Sequence, residues 1–134
     1  MRKFEFKKLV RDKIVEGIIA VGNKPNWKTL SDSEFVHELK KKIVEEALEV
    51  PRTNDPAEVV KELADIQEII DNLLEALKIS KEKFAEVQKK KNEDRGSFKK
   101  RQYIDTVETS DEVTKWVSYY LDNPDKYPEV KDVK

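Results

Sequence analysis

The chain has 134 residues, of which 37% are hydrophobic and 41% are charged, and its formal net charge is −1. This length fits a single domain with a real core, while the absence of cysteine excludes disulfides and thiolate metal sites. The sequence has no apolar run that could span a membrane and no signal-peptide centre near its N-terminus, so a cytoplasmic location is expected.

The charges are segregated along the sequence. Residues 1–30 carry a net charge of +5, residues 31–88 of −7, residues 89–101 of +5 and residues 102–134 of −4. An acidic middle between basic segments is unsuited to a nucleic-acid-binding face, and it suits a protein that gathers cations in one place and phosphates beside them. We therefore expect no nucleic-acid partner and no membrane partner.

The first predicted element lies near the N-terminus. Residues 7–22 are apolar enough for a packed helix, although their β-branched residues leave a strand possible. Ser31 and Glu34 then form a capping box, and the apolar residues that follow recur at helical spacing. Pro51 should end this first long helix.

A second long helix is predicted after the link at residues 51–55. Asp55 is placed to cap this helix, and Pro56 occupies its first position. Because the link is short, the two long helices should be antiparallel neighbours. The apolar stripe predicted for the second helix consists of Val59, Leu63, Ile66, Ile70, Leu73 and Leu77.

Two more helices are predicted in the second half of the chain. Ser80 can cap a third helix, which Gly96 would stop. Thr109, with Glu112 three residues later, opens a shorter fourth helix before Pro124. With no alternating strand pattern in the sequence, the predicted fold is an all-α antiparallel helical bundle.

Four acidic residues of the two long helices share one spacing. Glu46 and Glu49 lie three apart on the first helix, and Glu62 and Asp65 lie three apart on the second. Residues at this spacing share one side of a helix, and Glu46 falls within an apolar stripe, where a carboxylate is costly unless paired or metal-bound. The pattern indicates a Mg²⁺ site with one or more ions, or else a solvated acidic face.

The same residues carry a resemblance to a known family. E-x2-E, twelve further residues and E-x2-D resemble the signature of the all-α NTP pyrophosphohydrolases, the MazG-like and phosphoribosyl-ATP pyrophosphohydrolase-like family. The segments "KLVRDKI", "EEALEV…KELAD" and "KKKNEDRGSFKKR" occur in the order of its small, single-domain house-cleaning branch, over residues 7–104. Val15 stands where members of the branch usually have proline, and residues 106–134 extend beyond the matched part.

The resemblance implies a fold and an activity. Residues 1–105 would form an all-α NTP pyrophosphohydrolase-like domain, with residues 106–134 as a C-terminal helical extension packed on it. The activity would be cleavage between the α and β phosphates of a nucleoside triphosphate, giving a nucleoside monophosphate and pyrophosphate. Mg²⁺ would be the cofactor, with Mn²⁺ as an alternative, and the chain would form a homodimer or a dimer of dimers.

The resemblance also implies site residues. The metal ligands would be Glu46, Glu49, Glu62 and Asp65. A glutamate of the double-Glu step, either Glu45 or Glu46, would activate the attacking water, and the inward position of Glu46 favours it. The substrate-binding residues would be Lys91, Asn92, Arg95, Arg11 and Lys13.

Simpler interpretations of the basic residues stay open. The segment "KKKNEDRGSFKKR" is also typical of a solvated helix end whose cations complement the helix dipole, and Arg11 could instead form a structural ion pair. Two alternative functions are phosphoribosyl-ATP hydrolysis, which the "VRDKI" segment argues against, and a non-catalytic helical protein-interaction module.

Overall fold

The computed structural model describes residues 1–112 and 114–131, and its regular secondary structure is helical throughout, with no strand among these residues. The predicted all-α class is therefore confirmed. No helix in these two ranges is both long and apolar enough to cross a membrane. The helices are α1 (Ile14–Ala20), α2 (Asp32–Glu49), α3 (Pro56–Ala76), α4 (Lys81–Arg95) and α5 (Lys115–Asp122), and a 3₁₀ turn (Val50–Arg52) follows α2.

The N-terminus of α2 has the predicted capping box. The backbone N–H of Glu34 donates to the Ser31 hydroxyl at 3.3 Å, and the backbone N–H of Ser31 donates to the Glu34 carboxylate at 3.2 Å. Lys28 donates to the same carboxylate at 2.9 Å. This bond to Lys28, followed by the bonds from Ser31, lowers the pKa of Glu34 to about 2. The start of α2 is thus fixed by its own sequence.

The connection from α2 to α3 also follows the sequence. The α2 helix ends at Glu49, and Pro51 stands in the 3₁₀ turn that follows it. Asp55 caps α3 by accepting a hydrogen bond from the backbone N–H of Ala57 at 3.1 Å, and Pro56 is the first helical residue. These signals turn the chain so that α2 and α3 pack extensively against each other.

The packed face of α3 agrees only in part with the predicted apolar stripe, of which Val59, Ile66, Ile70 and Leu73 are half-buried. Among the described residues, the buried hydrophobic side chains are Leu39 of α2 and Ile69 of α3, at 3% and 8% exposure. Leu63 and Leu77, both predicted in the stripe, are 51% and 46% exposed. Because α3 has apolar residues around a wide arc, its periodicity does not select which part of that arc meets α2. The face that meets α2 carries acidic residues beside Ile69.

The other helices agree with prediction to different degrees. The α1 helix covers less than half of the predicted 7–22 segment, and residues 1–13 precede it outside any helix. The bounds predicted for α4 are confirmed, since Ser80 accepts from the backbone N–H of Lys83 at 3.1 Å and Gly96 has a φ of 78°.

The predicted start of α5 is wrong. Thr109 and Glu112 precede the helix, and the cap is Thr114, whose hydroxyl accepts from the backbone N–H of Val117 at 3.3 Å. Thr114 directly precedes Lys115, the first residue of the helix, so its hydroxyl can reach the unpaired backbone N–H groups of the first turn. Val113, inside the predicted helix, lies outside the described residues.

The chain divides into two compact units at Gly96. Residues 1–95 contain α1 to α4, and residues 96–134 contain α5. Within the second unit, the rings of Tyr119, Tyr120 and Tyr127 pack against one another with centroid separations of 5.1 to 6.2 Å. The packing of residues 106–134 as an extension of the 1–105 domain stays a prediction.

Candidate metal centre

Three of the four predicted metal ligands converge where α2 meets α3. Glu46 of α2 and Glu62 and Asp65 of α3 each offer a carboxylate oxygen, and these oxygens lie within 4.8 Å of one another. Glu46 follows the buried Leu39 by two helical turns, and Asp65 precedes the buried Ile69 by four residues. The packing that buries the two apolar residues therefore brings the carboxylates together. We call Glu46, Glu62 and Asp65 the acidic triad.

Glu49, the fourth predicted ligand, lies outside the acidic triad. Its carboxylate accepts a hydrogen bond from the Arg52 guanidinium at 2.8 Å. Glu49 is the last residue of α2, and the 3₁₀ turn that contains Pro51 carries Arg52 back over it. The carboxylate of Glu49 thus pairs with a residue of the following turn and does not join the triad.

The side chain of Glu46 is less exposed than that of Asp65, which is 39% exposed. The Glu46 side chain is 16% exposed, and Lys42 lies 3.8 Å from its carboxylate. Burial raises the pKa of Glu46, and the negative charge of Asp65 and a hydrogen bond with Glu62 raise it further, while Lys42 offsets only part of this effect. The centre of the triad is therefore short of positive charge.

The donor set fits a hard divalent cation. All three groups are carboxylates, and Mg²⁺ prefers oxygen ligands in an octahedral shell that it completes with water and substrate phosphates. The triad residues are only partly buried, so a bound ion would keep open positions for such ligands. A divalent charge at this point would also remove the repulsion that raises the pKa of Glu46.

The basic residues that precede α1 reach this region. The guanidinium of Arg11 donates to Asp65 at 2.6 Å, and Lys8 donates to Glu45 at 3.4 Å. Glu45 also accepts from Lys42 at 3.2 Å. Burial alone raises the pKa of Glu45, but the bonds and charges of Lys42 and Lys8 outweigh burial, so its pKa is lowered. Glu45 is therefore held by two lysines and is not a member of the triad.

A cleft of about 290 Å³ lies between residues 6–9 and α2. Four lysines and two glutamates line it, together with Phe6 and Leu9, so positive charge is in excess. Lys42 belongs to the lining, and its ammonium group is the one that lies 3.8 Å from Glu46. The cleft and the acidic triad are therefore adjacent.

The predicted phosphate-binding residues of α4 do not contact the acidic triad. Lys91, Asn92 and Arg95 are exposed, and no hydrogen bond or ion pair joins them to the triad in the part of the chain that the structure describes. The lysines beside them pair within α4, as Lys90 does with Asp94 at 3.6 Å. Lys13 is the exposed N-cap residue of α1. Of the predicted substrate-binding residues, Arg11 is the one at the site.

Lys8 and Lys42 are site residues that sequence reasoning did not identify. Lys42 precedes Glu46 by four residues, so the helical spacing contained a signal for it. Lys8 is separated from Glu45 by 37 residues, and no local pattern encodes a contact over that distance.

The chain matches no protein-family model, no curated protein and no solved structure. The residues of the site itself must therefore carry any functional argument.

Proposed function

We propose that this protein is a Mg²⁺-dependent nucleoside triphosphate pyrophosphohydrolase of the MazG-like, all-α type. It would cleave the bond between the α and β phosphates, releasing a nucleoside monophosphate and pyrophosphate. The observation that supports this proposal is a triad of three converging carboxylates beside a lysine-lined cleft. Such a site can hold a cation and a polyanion next to each other.

Each part of the site has a role in this reaction. Glu46, Glu62 and Asp65 would hold Mg²⁺, which supplies charge neutralisation and acidifies bound water. Glu46 would accept the proton of a water whose oxygen bonds to the α phosphorus, while the bond from that phosphorus to the α–β bridging oxygen breaks and pyrophosphate leaves with the electron pair. Glu46 is favoured over Glu45 for this role because its carboxylate belongs to the acidic triad, whereas Glu45 is held by Lys8 and Lys42.

The cleft would hold the triphosphate. Its four lysines would offset the negative charge of the phosphates, and Lys42 would sit between the polyanion and Glu46. Phe6 is 55% exposed at the same cleft, and its ring could stack against an aromatic base. This arrangement favours recognition of the phosphate chain and of base shape over specific base contacts.

A second copy of the chain is part of this proposal. Val44 and Leu48 of α2 are 58% and 59% exposed, and Val60 and Leu63 of α3 are 63% and 51% exposed. All four side chains lie on the two helices that pack together, and we expect them to form a protein–protein interface. We expect a homodimer in sedimentation analysis, and we expect Val60→Ser combined with Leu63→Ser to shift it to monomer. A wild-type monomer at all concentrations would contradict this part of the proposal.

The test is pyrophosphate release from a panel of ribo-, deoxyribo- and modified nucleoside triphosphates that also includes phosphoribosyl-ATP. Each substrate is assayed with Mg²⁺, with EDTA and with the Glu62→Gln protein. Glu58→Gln is the matched control, because Glu58 lies on the same helix but pairs with Lys61 at 3.1 Å outside the triad. We expect release that requires Mg²⁺, survives Glu58→Gln and is lost in Glu62→Gln.

The exposed apolar residues of α2 and α3 also favour a second candidate, a non-catalytic helical interaction module. That function predicts no release from any substrate and no rise in thermal stability on adding Mg²⁺. It also predicts that Glu62→Gln stabilises the fold, because a repulsive carboxylate is removed. Those three results together would overturn the enzyme proposal.

A further inference from the structure

Two ion pairs in the described residues connect parts of the chain that are far apart in sequence. They join Lys8 to Glu45, 37 residues away, and Arg11 to Asp65, 54 residues away. Every other ion pair among these residues spans six residues or fewer. Both long-range pairs therefore tie the segment before α1 to the acidic region of α2 and α3.

The Arg11 pair involves a member of the acidic triad. The guanidinium nitrogen lies 2.6 Å from a carboxylate oxygen of Asp65, and Asp65 offers an oxygen within 4.8 Å of the oxygens of Glu46 and Glu62. A divalent ion among these carboxylates would lie within a few ångströms of the guanidinium. Two cations so close repel each other, so the ion and Arg11 compete for Asp65.

We propose that Arg11 is an internal counterion of the acidic triad that a divalent metal displaces from Asp65, and that the displaced guanidinium then binds a substrate phosphate. This inference rests on the proposed metal-dependent function. It adds a change of partner for Arg11. Without metal, Arg11 pairs with Asp65 of the acidic triad, and with metal bound it pairs with a substrate phosphate. Metal binding would thereby prepare the phosphate-binding group.

Because the Arg11–Asp65 ion pair is exposed to solvent, a metal ion can displace Arg11 at little cost. The side chains of Arg11 and Asp65 are 61% and 39% exposed, and ion pairs with such exposure are weak. Arg11 also belongs to residues 1–13, which precede α1 outside any helix, so its displacement breaks no helical hydrogen bond. The planar guanidinium can bind phosphate through two parallel hydrogen bonds, which an ammonium group cannot reproduce.

The experiment compares wild type with Arg11→Gln in two titrations. Mn²⁺ alone is titrated by calorimetry, and inorganic tripolyphosphate is titrated in the presence of saturating Mg²⁺. An exposed pair that the metal must break weakens metal binding by up to about five-fold, so Arg11→Gln should tighten Mn²⁺ binding about two- to five-fold. The same variant should weaken tripolyphosphate binding by about five-fold or more. Tighter Mn²⁺ binding together with weaker tripolyphosphate binding would distinguish this change of partner from an ion pair that is merely structural.

Two further variants sharpen the result. Arg11→Lys keeps the charge, so its Mn²⁺ affinity should stay near wild type while tripolyphosphate binding falls. Lys28→Gln removes another exposed pair, the 2.9 Å contact with Glu34, and should change neither titration.

The outcomes separate this inference from the proposed function. If wild type binds Mn²⁺ and Glu62→Gln does not, but Arg11→Gln binds Mn²⁺ no more tightly than wild type, the change of partner is overturned and the metal site stands. The change of partner is also overturned if Arg11→Gln binds tripolyphosphate as well as wild type. If wild type binds Mn²⁺ no better than Glu62→Gln, the proposed function and the change of partner fail together.

Discussion

Helices α3 and α4 follow each other in the chain and are both rich in charge, but they use their acidic residues differently. The α3 helix packs extensively against α2, and α4 makes no comparable helix packing in the part of the chain described. On α4 the acids pair with lysines of the same helix, as Glu86 does with Lys83 at 3.7 Å and Glu93 with Lys89 at 4.0 Å. On α3, Glu62 and Asp65 meet a third carboxylate from α2.

The difference shows what creates a candidate metal centre in a highly charged chain. An acidic residue on a solvated helix finds a local cation within one turn, and the pair contributes little. A helix interface that buries Leu39 and Ile69 removes that freedom and forces neighbouring carboxylates together. Packing, rather than the number of acids, therefore distinguishes the acidic triad. The following predictions test that distinction.

The largest effect should come from removing one triad carboxylate. Glu62→Gln should lower the rate of pyrophosphate release on the order of 10²–10³-fold, equivalent to about 3–4 kcal/mol, because a ligand of the proposed metal is lost. Glu86→Gln makes the same chemical change on α4 and should leave the rate unaltered. Steady-state pyrophosphate release with Mg²⁺ measures both rates. Equal rates for the two variants would show that Glu62 of α3 matters no more to the reaction than Glu86 of α4.

The second prediction concerns the packing that creates the triad. Leu39→Ala should lower the free energy of unfolding by about 2–5 kcal/mol, because Leu39 is only 3% exposed and its removal leaves a cavity. Leu77→Ala, at a side chain that is 46% exposed, should cost much less. Urea denaturation followed by circular dichroism measures both. Similar losses would mean that Leu39 is not at the centre of the packing.

These two predictions also show how far the sequence alone could lead. The caps at Ser31 and Asp55 and the end of α4 at Gly96 depend on residues within one turn, so they were predictable. The acid spacing likewise predicted that Glu46, Glu62 and Asp65 would meet, because a short link joins their helices.

Features that depend on distant residues were not predictable. The rotation of α3, which exposes Leu63, depends on which part of a wide apolar arc α2 covers. An ion pair of Arg11 was one of the two interpretations that the sequence left open, but its partner Asp65 lies 54 residues away, and nothing near Arg11 encodes that partner. Glu49 is different, because its partner Arg52 lies only three residues away, so the sequence did contain a local signal that Glu49 would pair outside the acidic triad.

The third prediction compares the N-terminal caps of a packed and an unpacked helix. Ser31→Ala should lower the free energy of unfolding by about 1 kcal/mol, because the cap begins the helix that carries Leu39 and Glu46. Ser80→Ala removes an equivalent bond from α4, where it should increase local amide exchange with little effect on global unfolding. Denaturation and hydrogen exchange together measure the two responses. A global loss from Ser80→Ala as large as that from Ser31→Ala would show that α4 is coupled to the core.

The smallest effect concerns the ionisation of Glu46. Burial, Asp65 and Glu62 raise the pKa of this carboxyl above its ordinary value of 4.5, so ionised Glu46 destabilises the fold at neutral pH. In EDTA at pH 7, Glu46→Gln should therefore raise the free energy of unfolding by about 0.5–1 kcal/mol, the size of two like-charge contacts on helices. Urea denaturation at several pH values measures the difference.

The sign of the pH dependence distinguishes this effect from a simple change in packing. A raised folded pKa means that the penalty disappears as the pH falls through that pKa, and below 4.5 the carboxyl is protonated in both states. The advantage of Glu46→Gln should therefore shrink between neutral pH and about pH 4.5. Glu86→Gln, at a side chain that is 73% exposed, should show no such trend.

Adding Mg²⁺ at pH 7 should make wild type more stable than Glu46→Gln, because the ion stabilises the wild-type carboxylate and finds a weaker ligand in glutamine. An advantage of Glu46→Gln that is constant with pH and unaffected by Mg²⁺ would show that the triad neither repels internally nor binds the ion.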